Sequence, residues 1–128
     1  MTVLLDTQVF LIAGLEGLNA LPKRARAVLA DPNTEKVMSS TSIMELALKH
    51  AKGKIHIPEE KTSQAVQDML ITVIPFTPRH AYRLYSLPVH HGDPFDRMII
   101  STALAENVPI VGGDRQFISY KGLTVIWR

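Results

Sequence analysis

The stretch Asp93–Glu106 has the sequence DPFDRMIISTALAE, and it predicts the clearest helix of this 128-residue chain. Asp93 is a residue type that caps helix N-termini, and Pro94 suits the first helical position, where its missing N–H has no partner to lose. Asp96 follows one turn into the helix, near the positive end of the helix dipole. Apolar residues recur at helical spacing, at Ile99, Ile100, Ala103 and Leu104. The stretch is therefore predicted to be a helix with one buried face.

Short apolar strands alternate with helical segments along the rest of the chain. The predicted strands are Thr2–Leu5, Lys36–Ser39, Ile71–Pro75, Pro109–Val111 and Thr124–Trp127. The other predicted helical segments are Val9–Leu15, a helix opened by Pro22, Thr41–Ala51, Thr62–Leu70, Pro78–Leu87 and the short turn Gln116–Tyr120. This alternation predicts a central parallel sheet covered by helices on both faces, a three-layer α/β/α domain. We expect residues 1–128 to form this single domain, because the length leaves little room for a second.

Composition excludes several classes of protein. Apolar residues make up 46% of the chain, within the range of globular proteins. The chain has no cysteine, which excludes disulfides and thiolate zinc sites and suits a reducing cytosol. No apolar run reaches the roughly 18 residues that a membrane span needs. Met1–Leu5 lacks the basic region and the cleavage site of a signal peptide. We therefore expect a cytoplasmic protein without membrane association.

The formal net charge is only +2, so the distribution of charge matters more than its sum. Basic residues form three groups, Lys23 with Arg24 and Arg26, Lys49 with Lys52 and Lys54, and Arg79 with His80 and Arg83. Such groups are usually solvated helix faces, but around a pocket they would attract a phosphate backbone. Charge alone is thus only weak support for nucleic-acid binding.

Four acidic residues stand where metal-dependent phosphodiester chemistry would need them. Asp6 and Asp114 follow predicted strands, and ligands of parallel sheets bind at the carboxyl ends of strands. Glu45 stands among apolar residues of a predicted helix, and Asp96 lies one turn into its own helix. Carboxylates suit hard cations such as Mg²⁺ and Mn²⁺, and crowded carboxylates repel one another without a cation. Such an ion lowers the pKa of an attacking water and stabilises the leaving oxygen of a phosphodiester.

Each acid also has a purely structural interpretation. Asp6 would cap the helix after it, while Asp93 and Asp96 suit a helix N-terminus, where each contributes about 0.3–1 kcal/mol. Glu45 fits the solvent side of an amphipathic helix, and Asp114 fits a turn beside two glycines. Because a sequence does not show which residues meet in space, the residues alone leave both interpretations open.

Five motifs in order make the chain similar to a known family. They are Leu4–Thr7, Ser39–Lys49, Gly53–Pro58, Leu87–Arg97 and Ile110–Phe117. Together they resemble the PIN domain, and specifically its VapC-type toxin subgroup. Leu87–Arg97, with the sequence LPVHHGDPFDR, is the most specific of the five. The match runs from residue 2 to about residue 127.

This resemblance implies a site and a reaction. Asp6, Glu45 and Asp96 would be the core metal-binding acids, and Asp114 would be a fourth member or a support. The ion would be Mg²⁺ or Mn²⁺, and metal-activated water would cleave RNA endonucleolytically. Asp93 is expected chiefly as the N-cap of its helix and, less favoured, as a helper of the metal.

Further positions are placed near the site by the resemblance. Thr7 and Ser42 would offer hydroxyls near the metal, and Arg97 would contact phosphate or brace the acids. Gly112 stands where the family commonly has Thr or Ser, which removes a hydroxyl beside the site. Met44 stands where the family often has Trp, a packing exchange that the flexible Met side chain can accommodate. With all four acids present, the chain is not predicted to be an inactive enzyme.

Partners are implied by the same resemblance. A small VapB-type antitoxin would keep such a toxin silent by covering the pocket with its C-terminal segment, and the family commonly forms homodimers. Two alternatives remain: a PIN nuclease of RNA processing or repair without a toxin role, and a PIN fold that binds RNA or a protein without cutting. An adjacent antitoxin reading frame would separate the first alternative from a toxin. Metal binding would separate a nuclease from a scaffold.

Other patterns in the chain fit no further site. His90 and His91 are adjacent, so they cannot share a helix face, and no cysteine or HxxxH spacing supports a zinc site. Gly14–Gly17 follows a helix and lacks the third glycine of a dinucleotide fingerprint. Trp127 and Tyr120 could stack on nucleobases, although packing at the core or its rim is the commoner role of such residues.

Overall fold

The computed structural model describes residues 1–90 and 92–128, and a five-stranded sheet lies at its centre. The strands are β1 (Thr2–Leu5), β2 (Glu35–Ser39), β3 (Thr72–Ile74), β4 (Ile110–Val111) and β5 (Val125–Ile126). Every neighbouring pair runs parallel, in the order β3-β2-β1-β4-β5. The predicted central parallel sheet is therefore confirmed.

Six α-helices connect the strands in the described part of the chain. They are α1 (Thr7–Glu16), α2 (Lys23–Ala30), α3 (Ser40–Ala51), α4 (Glu59–Asp68), α5 (Pro78–Arg83) and α6 (Pro94–Glu106). Short 3₁₀ turns cover Leu18–Ala20, Leu84–Ser86 and Arg115–Ser119. Over the described ranges, no helix is both long and apolar enough to cross a membrane. His91, part of the predicted Leu87–Arg97 motif, lies outside the described residues.

Successive residues of each strand face two separate hydrophobic cores. Val3 and Leu5 of β1 belong to one core, together with Phe10 of α1. Leu4 belongs to the other core, together with Ile100 of α6. All of these side chains are fully buried, and each contributes roughly 1.5–3 kcal/mol by leaving water. The alternation buries both faces of the sheet, so the predicted three-layer α/β/α architecture is confirmed.

The largest differences from the predicted helix ends are in α4 and α5. α4 begins at Glu59 rather than Thr62, because Pro58 precedes it as the N-cap and acidic side chains stabilise its first turn. It ends before Leu70, whose φ of 55° is left-handed and cannot continue a right-handed helix. α5 ends at Arg83, and the chain tightens there into a 3₁₀ turn before the predicted end.

The basic group on α5 is largely used in contacts with α6. His80 is buried, and its Nε2 lies 2.9 Å from Oε2 of Glu106. Arg79 pairs with the same carboxylate and also donates to the carbonyl of Ala105. The hydrogen bond from His80 holds the pKa of Glu106 below its usual range. This group therefore ties α5 to the end of α6 and does not present three free cations to a phosphate backbone.

The direction in which successive strands are added to the sheet reverses between β1 and β4. β1 pairs with β2 on one side and with β4 on the other. Such a switch point leaves a crevice outside the carboxyl ends of the two strands. Asp6 directly follows β1, and Asp114 follows β4 after two glycines. Both predicted strand-end acids thus lie at this crevice.

Candidate active site

A cavity of about 440 Å³ opens at the crevice, and both acidic and apolar side chains line its wall. Its polar lining residues are Asp6, Thr7, Gln8, Glu45, Lys49, Asp93, Asp96 and Asp114. The four acids singled out in the sequence are therefore brought to one place from four separate segments. We call this space the acidic cavity.

Asp6 is held at the junction of β1 and α1. Its backbone N–H donates to the carbonyl of Val111 in β4 at 3.1 Å, and its Oδ1 accepts the N–H of Val9 at 2.7 Å. Asp6 is thus the N-cap of α1, the structural role that its position in the sequence allowed. Capping uses Oδ1, while Oδ2 lies against Gly112. One carboxylate therefore both caps the helix and lines the acidic cavity.

Burial changes the acidity of Asp6. The residue is 6% exposed, and its pKa is raised from 3.8 to about 7, chiefly by this burial. The negative charges of Asp96, Glu45 and Asp114 contribute to the rise, while the hydrogen bond from the Val9 N–H opposes it. Because three other acids act on this one carboxyl, the four form a single electrostatic unit.

Glu45 and Lys49 form an ion pair one helical turn apart on α3. Nζ of Lys49 lies 2.7 Å from Oε2 of Glu45, and this hydrogen bond, with further help from Asp93 and Asp96, raises the pKa of Lys49. Glu45 is 4% exposed, so its interpretation as a surface residue is wrong. Within the described ranges, Oε1 of Glu45 is buried without a hydrogen-bond partner. An unsatisfied buried acceptor costs about 1–3 kcal/mol, so a ligand bound to this oxygen would remove that cost.

α6 contributes two acids at its N-terminus. Oδ1 of Asp93 accepts the N–H of Phe95 at 2.8 Å and that of Asp96 at 3.3 Å, which makes Asp93 the expected N-cap. Asp93 also lines the acidic cavity. The positive end of the α6 dipole therefore points towards the cavity and stabilises negative charge there.

A buried hydroxyl pair joins the two helices that follow β1 and β2. Oγ1 of Thr7 donates to Oγ of Ser42 at 2.9 Å. Thr7 lines the acidic cavity, whereas the buried Ser42 does not. The bond fixes α1, which Asp6 caps, against α3, which carries Glu45. These hydroxyls hold the acids in place relative to each other.

Arg97 lies on α6 but does not line the acidic cavity. Its guanidinium donates to the carbonyl of Pro88 at 2.8 Å and to that of Leu87 at 3.3 Å. Both contacts hold the segment before α6 against the start of that helix. Of its two expected roles, this geometry favours bracing the region around the acids over contact with phosphate.

The site leaves no room for a side chain at Gly112. A Cβ at this position would fall 2.6 Å from Oδ2 of Asp6 and 2.6 Å from the ring of Phe117. The carboxylate and the ring fill the space that a Thr or Ser side chain would occupy. The glycine is therefore part of how Asp6 is placed.

Gly112→Ala is expected to destabilise the protein by about 1–3 kcal/mol, the usual cost of overpacking, and to displace the Asp6 carboxylate. Gly14→Ala is a matched control in α1, because its Cβ would meet Ala65 at an ordinary 3.5 Å. Alanine also suits a helix interior better than glycine by roughly 0.5–1 kcal/mol, so this control should be slightly more stable than the wild type. Urea unfolding of both variants measures the difference. A Gly112→Ala protein as stable as the wild type would contradict this packing.

The carboxylates of the four acids are chemically suited to a divalent cation. As placed, however, they do not form a complete set of ligands around one ion. Carboxylate oxygens are the donors that Mg²⁺ and Mn²⁺ prefer, and the unpartnered Oε1 of Glu45 is such a donor. Among residues 1–90 and 92–128, no three acidic or histidine side chains are grouped closely enough to hold one ion as placed. The acids share a wall, and their side chains would have to close around an ion.

Lys49 and Trp127 are among the residues of the acidic cavity that sequence reasoning misses. Lys49 belongs to a predicted basic group, and its spacing of four residues from Glu45 is the signal that could have placed it at the site. Trp127 also lines the cavity, but its signal is weak because an aromatic residue at a strand end usually packs in the core. His90 does not line the cavity, and its ring meets Tyr120 edge-on at 5.0 Å between centroids.

Comparison with known families identifies the fold. The profile of the PIN domain matches residues 3–123. The chain belongs to the PIN domain family. The resemblance carried by the five motifs is thereby confirmed as far as the PIN domain. No curated protein sequence matches this PIN domain significantly.

Several solved structures share the fold of this PIN domain. VapBC2 from Rickettsia felis, bound to a DNA fragment from its promoter, superposes with a TM-score of 0.71 and 19% identity over 98% of this chain and 97% of that chain. DNA-bound VapBC from Salmonella typhimurium superposes with a TM-score of 0.71 and 18% identity, over 98% of this chain and 96% of that chain. A toxin–antitoxin complex from Klebsiella pneumoniae superposes with a TM-score of 0.61 and 18% identity, over 95% of both chains. At these identities the likeness shows a shared fold.

Proposed function

We propose that this PIN domain is a divalent-metal-dependent endoribonuclease and the toxin of a VapBC-type toxin–antitoxin pair. The nuclease proposal rests on one observation, the placement of Asp6, Glu45, Asp96 and Asp114 in the wall of the acidic cavity. The effect of the other three on the pKa of Asp6 supports treating them as one unit. Membership of the PIN family supports hydrolysis of phosphodiester bonds.

In this proposal Asp6, Glu45 and Asp96 would hold a Mg²⁺ or Mn²⁺ ion, and Asp114 would be a fourth ligand or a support. When bound, such an ion supplies Lewis acidity and lowers the pKa of the water that attacks the phosphodiester. The chain itself contributes placement. β1 and the capping bond fix Asp6, and the capped start of α6 fixes Asp96 beside Asp93. Because these contacts hold the backbone at Asp6 and Asp96 in place, only side chains would have to move for the acids to close around an ion.

Lys49 supplies positive charge in the same wall. Its ammonium neutralises part of the charge of Glu45, while 45% of its side chain remains exposed. An exposed cation beside the acids can contact a phosphate oxygen of RNA. We therefore place the scissile phosphate beside Lys49, over the wall that carries the four acids.

The toxin proposal is supported by the structures that share the fold, which are VapBC and toxin–antitoxin complexes. In such a pair, a small VapB-type antitoxin covers the acidic cavity with its C-terminal segment, and the toxin acts on cytoplasmic RNA. A single domain over residues 1–128 and a homodimer belong to the same proposal. Light scattering of the dimer would give twice the chain mass of 14.2 kDa.

Cleavage of total cellular RNA by purified, antitoxin-free protein tests the nuclease proposal. We expect discrete fragments with Mg²⁺ or Mn²⁺ and intact RNA when EDTA is in excess. Asp6→Asn protein, purified in the same way, controls for contaminating nucleases. Identical fragments from both proteins would favour the remaining alternative, a PIN fold that binds RNA or a protein without cutting.

Induced expression in a bacterial host separates a toxin from a PIN nuclease of RNA processing or repair. Expression of a toxin is expected to arrest growth, whereas expression of the Asp6→Asn variant is not. Co-expression of a small adjacent reading frame should relieve the arrest. If a protein that cleaves RNA in the test tube leaves growth unchanged, the processing or repair function is favoured instead.

A further inference from the structure

A second cavity, of about 340 Å³, adjoins the acidic cavity beyond the end of β4. Gly113, Asp114 and Trp127 belong to the walls of both cavities. Arg115 and Arg128 line the second one. We call this second space the tryptophan pocket. Because the two cavities share a wall, a polymer bound at the four acids can extend directly into it.

The indole of Trp127 is fixed against the backbone of Gly113. A Cβ at Gly113 would lie 2.5 Å from Cε2, 2.7 Å from Cζ2 and 2.9 Å from Nε1 of the ring, so only glycine permits this approach. The carbonyl of Trp127 accepts the N–H of Ala25 in α2 at 3.0 Å. The ring is only partly buried. A pre-placed aromatic surface therefore stands between the two cavities.

Two exposed arginines, Arg115 and Arg128, border this surface. Over residues 1–90 and 92–128 neither one forms an ion pair or a side-chain hydrogen bond, unlike Arg79 and Arg97. A positively charged groove beside an aromatic side chain is the combination with which proteins hold single-stranded nucleic acid. The arginines attract phosphates, and the ring stacks on a base.

We propose that the tryptophan pocket is a nucleobase-binding subsite, in which one unpaired base stacks on Trp127 and Arg115 holds an adjoining phosphate. The proposal rests on the proposed nuclease function, since it places one nucleotide next to the phosphodiester held at the acids. Stacking requires an unpaired base, so the subsite favours single-stranded over duplex RNA. Every base has a stacking face, so this contact alone confers little sequence preference.

Trp127 is the sole tryptophan of the chain, so tryptophan fluorescence reports on this pocket directly. The experiment uses the Asp6→Asn protein without divalent cations, which keeps the RNA intact, and titrates a short single-stranded oligoribonucleotide. We expect saturable quenching of Trp127. An abasic oligonucleotide of the same length should bind more weakly and leave the fluorescence unchanged.

Substitutions in the same background separate stacking from charge, with affinity followed by the anisotropy of a labelled oligoribonucleotide. Trp127→Leu should weaken binding by about 5- to 150-fold, the range for losing one base–aromatic stack, and Trp127→Phe should retain most of the affinity. Arg115→Gln should weaken binding of the RNA and of the abasic chain alike. Lys61→Gln removes an exposed cation on α4 and should change neither.

RNA binding that leaves the fluorescence of Trp127 unchanged would overturn the subsite, and so would absence of RNA binding. Equal affinities of the parent and a folded Trp127→Leu protein would also overturn it, and if this variant does not fold, the quenching titration decides alone. Cleavage by the wild-type protein with metal separates the two proposals. Cleavage without quenching refutes the subsite only, and quenching without cleavage refutes the nuclease only.

Discussion

Asp96→Asn is expected to lower the rate of metal-dependent RNA cleavage by at least about 100-fold. Loss of a residue that only hydrogen-bonds to a metal ligand already lowers activity by up to about 100-fold, and loss of a ligand itself should cost at least as much. The substitution removes one negative charge from the acidic cavity and keeps the shape of the side chain. Asp93 caps α6 with its own carboxylate, so the start of the helix should survive. Initial rates on a defined single-stranded RNA with Mg²⁺ measure the loss.

Asp68→Asn is the matched control for this prediction. It makes the same chemical change on α4, where the exposed Asp68 accepts a hydrogen bond from Gln64 at 2.8 Å, outside the acidic cavity. This variant should cleave RNA like the wild type, and all three proteins should unfold at similar urea concentrations. If Asp96→Asn cleaved RNA at the wild-type rate, Asp96 of α6 would have no part in the reaction, and the proposed mechanism would be refuted.

Asp6→Asn is expected to make the metal-free protein more stable above neutral pH, although Asp6 belongs to the proposed active site. The pKa of Asp6 is about 7 in the folded protein against an ordinary 3.8. Between these values the folded protein holds a proton that the unfolded chain has lost, so wild-type stability falls as pH rises through this window. Asparagine has no such titration. The difference in the free energy of unfolding should grow to on the order of 4 kcal/mol above the window.

Urea unfolding at a series of pH values from below 3.8 to above 7, without divalent cations, measures this difference. Asparagine still offers an oxygen to the Val9 N–H, so the cap of α1 is kept. Mg²⁺ added above neutral pH should stabilise the wild type and not the variant, because a ligand stabilises the state that binds it. Parallel curves for both proteins would show that the Asp6 carboxyl is not perturbed by burial.

The position of α6 could be predicted closely because its signals are local. Asp93, Pro94 and the apolar spacing that follows act within one helix, and the observed helix runs from Pro94 to Glu106 as expected. The end of α4 was less predictable, since the left-handed backbone at Leu70 has no clear signal in the sequence. Local signals therefore fix element type better than element ends.

That the four acids line one cavity could not be derived from the residues alone. It depends on β1 pairing with β4, two segments far apart in sequence, and only the family resemblance implied it. The structural and functional interpretations also turn out to be compatible. Asp6 caps α1 with one oxygen and presents the other to the cavity wall, so a helix-capping pattern does not argue against a site.

Gly112 and Lys49 show what depends on three-dimensional packing. In sequence, Gly112 is a missing hydroxyl, whereas in the fold its space is filled by the Asp6 carboxylate and the Phe117 ring. In sequence, Lys49 is one cation of a surface group, whereas in the fold it pairs with the buried Glu45. The packing at Gly112 depends on neighbours from other elements, and although the spacing of Lys49 from Glu45 indicates the pair, its position in the cavity wall depends on how α3 packs.

Direct binding of Mn²⁺ to the metal-free protein tests most directly whether the acidic cavity is a divalent-metal site. Electron paramagnetic resonance of the unbound ion measures the affinity without any RNA. We expect the wild type and Asp68→Asn to bind Mn²⁺ equally, Mg²⁺ to compete, and Asp96→Asn to bind at least about 10-fold more weakly. Equal binding by the wild type and Asp96→Asn, or no binding by folded wild-type protein, would contradict the assignment of the acidic cavity as a metal centre.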